Sequence, residues 1–293
     1  MQPLIEKAAV LIEALPYIQR FRNDIVVVKF GGSSMEEKAG VEAILKDVAF
    51  MACVGLRPIV VHGGGKAISA KMKEAGIKSS FVRGLRVTDA ASMDVVEQVL
   101  NREVNPMLVK TLSAMGCKAR GIYGEDILEV VKHTEKDPET GEVLDWGYVG
   151  DVVDVDIEPI LAFSNSHIVP MITPLGWGPD DKLYNINADD AASAIAVALR
   201  ARKIVFMSDV PGLMRDPKDP SSLISTLDAR DVDELISRKV IDGGMIPKVT
   251  GAIRALRAGV RKVHFVHAGM PHSLLLELFT DQGVGTEIVE TSN

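Results

Sequence analysis

Residues 25–34 read IVVVKFGGSS and residues 58–65 read PIVVHGGG. Each segment begins with a β-branched apolar run, which is typical of a buried strand, and ends in glycines that interrupt it. Apolar side chains at helical spacing follow each segment, over residues 35–54 and 66–75. Two strand–turn–helix units in succession predict parallel strands, because parallel neighbours need a crossover connection between them.

The same alternation returns in the second half of the chain. Further strands are predicted at residues 167–172, 203–207 and 261–266, and further helices at 92–115, 189–201, 231–239, 245–258 and 273–279. Asn105-Pro106 should kink the first of these helices. Residues 117–156 instead alternate polar and apolar side chains around a turn at Glu139–Gly141, which predicts hairpins. The predicted fold is an α/β, three-layer αβα sandwich with a mainly parallel central sheet and a β-hairpin insertion.

Composition and charge limit the class of protein. The 293 residues are 47% hydrophobic and 25% charged, as in ordinary globular proteins, and no apolar run reaches the ~20 residues of a membrane-spanning helix. The net charge of −7 argues against nucleic-acid binding, which relies on a basic face. Cys53 and Cys117 are isolated, which argues against a zinc site or a disulfide framework. We expect a cytoplasmic protein that binds neither nucleic acid nor membrane and holds no metal with its own side chains.

The two glycine-rich turns are the first candidate sites. Lys29, Gly31 and Gly32 end the first strand, and Gly64 and Gly65 follow the second. Ligands of open parallel sheets collect at the carboxyl ends of the strands, where helix N-termini offer free N–H groups to anions. The alternative for either turn alone is a plain strand-to-helix connection. Two such turns together favour phosphate or carboxylate binding, although neither matches a GxGxxG or P-loop pattern.

Polar candidates occur in two later segments. Arg86, in GLRVTD, either binds a carboxylate with its planar fork or forms a surface ion pair with Asp89. Asn185, Asn187 and Asp189, in NINADDAA, precede an alanine-rich helix. Capping of that helix is the common use of such residues, but two asparagines at alternate positions also favour contact with a ligand.

The C-terminal half adds a lysine and a second turn. Lys248 follows the glycine pair of GGMIPK close to a predicted helix start, where an anion can dock. SDVPGLM, residues 208–214, follows a predicted strand. The alternative for Lys248 is an ordinary surface lysine.

In the order KFGGSSM, VVHGGG, GLRVTD, NINADDAA, SDVPGLM and GGMIPK, these segments resemble those of the amino acid kinase family, and within it the N-acetylglutamate kinases. The resemblance runs from about residue 20 to the end of the chain. GLRVTD and NINAD are the specific segments, whereas the glycine loops also occur in aspartokinases, glutamate 5-kinases, carbamate kinases and UMP kinases. The resemblance implies ATP-dependent phosphorylation of the γ-carboxylate of N-acetyl-L-glutamate in arginine biosynthesis.

The resemblance also implies roles for individual residues. Lys29 and Lys248 would stabilise the transferring phosphoryl group, and Asp189 would orient both lysines. N-Acetylglutamate would be held by Gly64, Gly65, Arg86, Asn185 and Asn187. ATP would be bound by Gly31, Gly32, Asp209, Val210, Gly212, Leu213, Met214 and Ile241. Mg²⁺ would be held mainly by the nucleotide phosphates.

Domain organisation and regulation are implied in the same way. Residues 21–176 would form an N-terminal lobe for the acyl-amino-acid, and residues 177–293 a C-terminal lobe for ATP. Residues 1–20 place apolar side chains on one helical face, which either packs on its own domain or joins subunits. Arginine-inhibited members share such a helix, so the resemblance implies a homo-oligomer, either a dimer or linked dimers, and feedback inhibition by arginine. A PII-type signalling protein is a further candidate partner.

Three departures from the family pattern and three rival functions stand beside this interpretation. The first loop reads KFGGSSM rather than KYGGNAM, Glu125 stands where a lysine is expected, and Ala268-Gly269-Met270 replaces Asp-Gly-Arg.

The rivals are a family member acting on glutamate, aspartate, carbamate or a nucleoside monophosphate, a catalytically silent arginine sensor or scaffold, and a nicotinamide dehydrogenase. GLRVTD and NINADDAA argue against the first, the retained lysines against the second, and the missing GxGxxG against the third.

Overall fold

The computed structural model describes residues 1–137, 140–216 and 218–291. In chain order its first half contains α1 (Gln2–Phe21), β1 (Ile25–Phe30), α2 (Lys38–Cys53), β2 (Arg57–His62), α3 (Gly65–Glu74), β3 (Phe81–Val82), β4 (Leu85–Arg86), α4 (Ala90–Glu97), α5 (Asn105–Ala114), β5 (Ala119–Ile122), β6 (Leu128–Lys132), β7 (Glu135–Lys136), β8 (Val143–Leu144), β9 (Gly150–Val155), α6 (Glu158–Asn165) and β10 (Val169–Ile172). The second half contains β11 (Leu175–Trp177), β12 (Leu183–Asn185), α7 (Ala188–Ala198), β13 (Lys203–Ser208), β14 (Thr226–Asp228), α8 (Val232–Ser237), α9 (Met245–Arg257), β15 (Lys262–His267), α10 (Ser273–Phe279) and β16 (Thr286–Val289). Glu139 of the predicted turn lies outside the described residues.

The main sheet has eight strands in the order β14-β16-β15-β13-β1-β2-β10-β5. All neighbours pair in parallel except β15 and β16, which are antiparallel. The prediction of a mainly parallel central sheet is therefore confirmed. β1 lies between β2 and β13, so the carboxyl ends of these three strands meet at one edge of the sheet.

Alternate residues of the central strands face two separate cores, which is why the fold has three layers. Val27 packs in one core with Ile195 of α7. Val28 faces the opposite side and packs in the other core with Leu45 of α2. All four side chains are fully buried, and burial of each contributes about 2 kcal/mol. Helices cover both faces of the sheet, as predicted.

A second, four-stranded sheet in the order β12-β11-β6-β9 contains the predicted insertion. β6 and β9 pair as an antiparallel hairpin, and the β7–β8 hairpin extends its tip. The hairpin prediction is wrong for Ala119–Ile122, which form β5 and pair in parallel with β10 at the edge of the main sheet. An edge strand is only partly covered, so its exposed and half-buried residues alternate much as those of a hairpin do.

The predicted helix over residues 92–115 is interrupted close to the expected position. A π-helical segment, Gln98–Val104, separates α4 from α5. Pro106 lies in the first turn of α5, where its missing N–H needs no partner. The interruption therefore falls on the N-terminal side of Asn105, and it places Asn101 and Asn105 in the protein interior.

α1 packs on the rest of the chain through its C-terminal end. Phe21 is buried, whereas Leu4, Leu11 and Ile12 have 65–67% of their surface exposed. The alternative that this helix packs on its own domain therefore holds for its C-terminal end, and the apolar residues nearer its N-terminus stay exposed. Within the described parts of the chain, no helix has both the length and the apolar character that crossing a membrane requires.

Gly124 and Gly251 differ in whether the surrounding packing leaves room for a side chain. A Cβ on Gly124 would lie 2.1 Å from the carbonyl oxygen of Thr173, so we expect Gly124→Ala to lower the free energy of unfolding by about 3 kcal/mol. In α9, a Cβ on Gly251 would have only the Arg254 guanidinium within reach, at 3.9 Å. Gly251→Ala should instead raise the free energy of unfolding by about 1 kcal/mol. Urea unfolding at one protein concentration measures both, and equal effects at the two positions would contradict this packing.

Candidate active site

The glycine-rich turns after β1 and β2 touch each other. A Cβ on Gly31 would lie 3.2 Å from both the Cα and the N of Gly63, and 3.7 Å from the Nζ of Lys29. A side chain at Gly31 would therefore push the two turns apart. Gly32 has a φ of +64°, a conformation that glycine adopts without strain. The two predicted turns are thus in direct contact with each other, and the Lys29 ammonium lies next to them.

The two following glycines have different surroundings. A Cβ on Gly64 would lie 2.7 Å from Cδ2 of Leu100, so this glycine is required by packing. Gly65 is the first residue of α3, and nothing lies within 4 Å of the position that its Cβ would take. The free N–H groups at the start of α3 therefore face open space beside the Lys29 ammonium.

A buried histidine, His62, helps to hold the second glycine-rich turn in place. Asn105 Nδ2 donates to His62 Nε2 at 3.0 Å and to the carbonyl oxygen of Met171 at 2.9 Å. His62 Nε2 is therefore unprotonated, and Nδ1–H donates to the carbonyl oxygen of Gly63 at 3.1 Å. Burial lowers the pKa of His62 from 6.5 to about 4, so the imidazole stays neutral at physiological pH. We regard it as a support for the loop rather than as a proton carrier.

Two lysines from different halves of the chain converge on one aspartate. Lys29 Nζ lies 2.8 Å from Asp189 Oδ1, and Lys248 Nζ pairs with Asp189 Oδ2. Burial alone would raise the pKa of the Asp189 carboxyl, but the two lysines outweigh it and hold that pKa at about 2. Lys248 is therefore not an isolated surface lysine. Two ammonium groups against one carboxylate leave the cluster with one net positive charge.

The asparagines before α7 divide between capping and the cavity. Asn187 is the N-cap, and its Oδ1 accepts a hydrogen bond from the N–H of Asp189 at 2.8 Å. The capping alternative is therefore correct for Asn187. Asn185 Nδ2 donates to Thr88 Oγ1 at 3.3 Å. Because Asn187 begins the helix, Asp189 lies in its first turn, where the helix dipole also favours a carboxylate.

Arg86 is buried and has no ion pair with a carboxylate among the described residues. One terminal nitrogen donates to Gly65 O and to Ser69 Oγ, both at 2.8 Å, and the other donates to Ser79 Oγ at 2.5 Å. The guanidinium also lies over the Phe81 ring, 4.6 Å from its centroid. The alternative of a surface ion pair with Asp89 is wrong, because Asp89 instead caps α4. A buried cation held only by neutral acceptors is a ready site for an anion.

One cavity of about 230 Å³ brings most of the predicted site residues together: Lys29, Gly31, Gly32, Gly64, Gly65, Arg86, Asn185, Asn187 and Asp189 line it. Its apolar wall was not predicted and includes Phe81, Leu85, Val149 and Pro174. The Arg83-Gly84 pair inside FVRGLR resembles a two-residue hairpin turn and is the signal by which Phe81 and Leu85 could be placed. Val149 and Pro174 meet the cavity only through tertiary packing.

A larger groove of about 510 Å³ lies on the outer face of the second sheet. It is lined by five carboxylates and no lysine or arginine: Glu125, Asp126, Glu129, Asp154 and Asp156. Such a surface repels anions, so the smaller cavity is the better anion site. Glu125, at the position where a lysine was expected, accepts a hydrogen bond from buried Asn101 Nδ2 at 2.6 Å. It is not among the residues lining the Lys29 cavity, and burial raises the pKa of its carboxyl.

Comparison with protein families gives one match that covers most of the chain. Residues 24–267 match the model of the amino acid kinase family. The chain belongs to the amino acid kinase family. Among curated relatives, acetylglutamate kinase of Symbiobacterium thermophilum is 46% identical over 291 residues, covering 99% of each chain. Acetylglutamate kinase of Carboxydothermus hydrogenoformans is 45% identical over 290 residues, covering 98% of this chain and 99% of the relative.

Solved structures of this family have the same fold. N-Acetylglutamate synthase from Neisseria gonorrhoeae, complexed with coenzyme A and N-acetylglutamate, superimposes with a TM-score of 0.86 at 25% identity. The match covers 98% of this chain but only 64% of the synthase chain. Carbamate kinase from Giardia lamblia bound to AMP-PNP has a TM-score of 0.67 at 15% identity, covering 92% of this chain and 99% of the other. These likenesses establish the amino acid kinase fold.

In this amino acid kinase, two of the residues predicted to bind ATP, Gly31 and Gly32, follow β1 and line the Lys29 cavity, and the others follow β13 or precede α9. Leu213 and Ile241 have side chains packed in a hydrophobic core, and the carbonyl oxygen of Leu213 accepts a hydrogen bond from the N–H of Ile224 at 2.8 Å. The Leu213 N–H donates to Thr286 Oγ1 at 2.8 Å, and a Cβ on Gly212 would lie 2.6 Å from the same oxygen. Asp209 is exposed. The backbone of Leu213 is thus bonded within the protein, and the exposed Asp209 and the half-buried Val210 and Met214 are the residues of this segment that a ligand can reach.

Protonation of His62 makes stability depend on pH. The folded state holds the neutral imidazole with a pKa of about 4, whereas the unfolded chain titrates near 6.5. This contribution is complete above pH 6.5 and is lost as pH falls towards 4, amounting to about 3 kcal/mol. We expect the free energy of unfolding of the native protein to fall more steeply across this range than that of His62→Gln. Parallel urea-unfolding curves for the two proteins would contradict this.

Proposed function

We propose that this protein is an ATP-dependent kinase that phosphorylates the γ-carboxylate of N-acetyl-L-glutamate and acts in arginine biosynthesis. The observation that carries the proposal is the pairing of Lys29 and Lys248 with one carboxylate, Asp189; Lys29 and Asp189 line a cavity that also contains buried Arg86. Relatives about 45% identical along almost their whole length bear the name acetylglutamate kinase, and this supports the choice of acid. The product would be an acyl phosphate.

The acceptor would occupy the cavity with its two carboxylates at opposite ends. The reacting γ-carboxylate must approach the lysine cluster, so the α-carboxylate is left for Arg86. Gly64, Gly65, Asn185 and Asn187 would contact the same molecule; the glycines and Arg86 belong to the first lobe, residues 21–176, and the two asparagines would reach in from residues 177–293. A carboxylate at Arg86 would compensate a cation that now has only neutral acceptors and an aromatic face around it.

The chemistry would depend on alignment and charge neutralisation. The attacking carboxylate and the phosphoryl group are both anionic, and phosphoryl transfer needs little covalent help from the protein. Lys29 and Lys248 would offset the charge on the transferring group, and Asp189 would keep the two ammonium groups at a fixed separation. With a pKa of about 2, Asp189 stays ionised and is not a proton donor at neutral pH. No general base is needed, because the nucleophile is already a carboxylate.

ATP would bind to the second lobe, residues 177–293, on the Lys248 side of the cluster. Backbone groups around Asp209, Val210, Gly212 and Met214 would form part of its site, with the backbone of Ile241 opposite. Mg²⁺ would arrive with the nucleotide phosphates and reduce their charge. Within the described residues no cluster of three or more histidine, cysteine or acidic side chains is arranged to hold a metal ion.

Trapping the acyl phosphate with hydroxylamine tests the reaction. With ATP, Mg²⁺ and a panel of acids, we expect hydroxamate with N-acetylglutamate and not with glutamate, aspartate or carbamate. Lys29→Met and Lys248→Met should each lower kcat about 100-fold or more, because each removes a charge beside the phosphoryl group. Lys182→Met, an exposed lysine outside the cavity, is the matched control. Hydroxamate from another acid would reassign the substrate, and no product from any acid would favour a non-catalytic sensor.

Arginine inhibition is supported by a second cavity. This cavity of about 240 Å³ lies between the end of α1 and the segment from α10 to β16, and it contains both carboxylates and cations. Lys203 is buried there, its Nζ lies 4.7 Å from the centroid of Phe21, and it has no ion pair among the described residues. Burial lowers the pKa of Lys203 to about 8. Lys203 would receive the arginine carboxylate, and Glu277 and Glu287 would attract its cationic groups.

Removal of the Lys203 charge tests this regulation. We expect millimolar arginine to inhibit hydroxamate formation by the native protein, and Lys203→Met to weaken that inhibition at least tenfold while basal kcat stays within about twofold. Lys182→Met, which removes an exposed lysine outside this cavity, is the control for a general loss of charge. Activity of the native protein unchanged by arginine would reject the regulatory proposal and leave the catalytic one standing.

The remaining parts of the proposal concern assembly and location. The exposed apolar residues of α1, among them Leu4, Leu11 and Ile12, support self-association through this helix. A dimer or a set of linked dimers would bury them. A PII-type partner and a cytoplasmic location rest on the resemblance and on composition alone.

A further inference from the structure

The β3–β4 hairpin has an unusual residue at its turn. Phe81 pairs with Arg86 and Val82 with Leu85, so Arg83 and Gly84 form a two-residue loop. Their φ angles are +49° and +83°. Two positive φ values in succession are typical of a type I′ turn, whose first position is usually Asn, Asp or Gly. An arginine there is sterically costly, so another interaction must compensate for it.

Ion pairs to the insertion supply that interaction. One terminal nitrogen of Arg83 pairs with Glu135 of β7, and the other lies 3.2 Å from Asp137 Oδ2. Beside this turn, Trp146 is buried, and its Nε1–H donates to the carbonyl oxygen of Val82 at 3.0 Å. The turn is therefore tied to the insertion, residues 117–156, through both its side chain and its backbone.

The hairpin needs these ties because it is short. Each strand has only two residues, and an isolated two-stranded hairpin is marginal in water. Phe81, Leu85 and Arg86 on this hairpin all line the candidate active site. Arg86 lies directly across the strand pair from Phe81, three residues beyond Arg83. The position of the turn therefore determines where the buried guanidinium and the aromatic wall lie.

We propose that Arg83 is a positioning residue for the acidic substrate. Its pairs with Glu135 and Asp137 hold the β3–β4 hairpin against the insertion, so that Arg86 and Phe81 face the cavity before the substrate arrives. Arg83 itself lines no part of the cavity and acts through Arg86. This inference rests on the proposed role of Arg86 in binding the α-carboxylate.

A single-tryptophan protein allows a direct test. The chain has two tryptophans, and Trp177→Phe removes the exposed one, leaving Trp146 as a reporter beside the hairpin. Arg83→Asn in this background keeps a residue suited to the turn and removes only the ion pairs. We expect the Kd for N-acetylglutamate without ATP, measured by fluorescence titration, to rise about three- to tenfold. KM should rise in parallel, kcat should stay within twofold, and the urea midpoint should not fall.

Partner variants separate positioning from a general structural effect. Glu135→Gln should also raise Kd. The loss of binding free energy in the double variant, Arg83→Asn with Glu135→Gln, should be smaller than the sum of the losses in the two single variants. The Kd ratio between native protein and Arg83→Asn should shrink at 0.5 M KCl, because these pairs are partly exposed. A Kd and KM within twofold of native for Arg83→Asn would overturn the inference.

Failure of this inference is distinguishable from failure of the proposed function. Arg86→Ala should weaken the binding of N-acetylglutamate more than it weakens the binding of an analogue that lacks the α-carboxylate. If Arg86→Ala does so while Arg83→Asn is neutral, only the role of Arg83 is wrong. If Arg86→Ala affects neither ligand, the assignment of Arg86 fails, and the inference built on it fails with it.

Discussion

The parallel pairing of β1 with β2 on one side and with β13 on the other is the constraint on which the site depends. It places Lys29 opposite Val61 and Phe206, so the turn after β1 lies against the turn after β2. A side chain at Gly31 would break that contact. The second half of the chain then delivers Asp189 and Lys248 to the same edge of the sheet. Residues far apart in sequence therefore form one cluster of charges.

Uncompensated positive charge is the common property of both functional cavities. Burial of a cation without a carboxylate is costly, and Arg86 and Lys203 are both in this position among the described residues. Asp189 is shared by two lysines, so the cluster also keeps a net positive charge. In a protein with a net charge of −7, Arg86, Lys203 and the cluster at Asp189 are thus the positive groups at which we propose that anions bind. The acidic groove on the second sheet shows the opposite arrangement, and it directs anionic ligands away from that face.

The glycine-rich motifs were found from the sequence, but the tasks of their residues were not. Gly31 permits close approach of two backbones, Gly32 adopts a positive φ, and Gly64 makes room for Leu100. At Gly32 and Gly65 a Cβ would meet nothing within 4 Å, and Gly65 is the one of the two without a positive φ. All four glycines look alike in a motif, because the motif does not show which neighbouring atoms a side chain at each position would contact. The apolar wall was missed for a related reason, since Val149 and Pro174 have no local pattern that marks them.

By itself the sequence determined the alternation of strands and helices, the mainly parallel sheet and the lysines, arginine and asparagines of the site, because hydrophobic periodicity and chemically distinctive residues are local properties. Tertiary structure alone decided that Ala119–Ile122 join the main sheet and that Arg86 is buried without a carboxylate partner among the described residues. It also brought His62 into a hydrogen bond with Asn105 and Arg83 into an ion pair with Glu135. These outcomes depend on which distant segments pack together, and pairing across tens of residues leaves no signal in a local pattern.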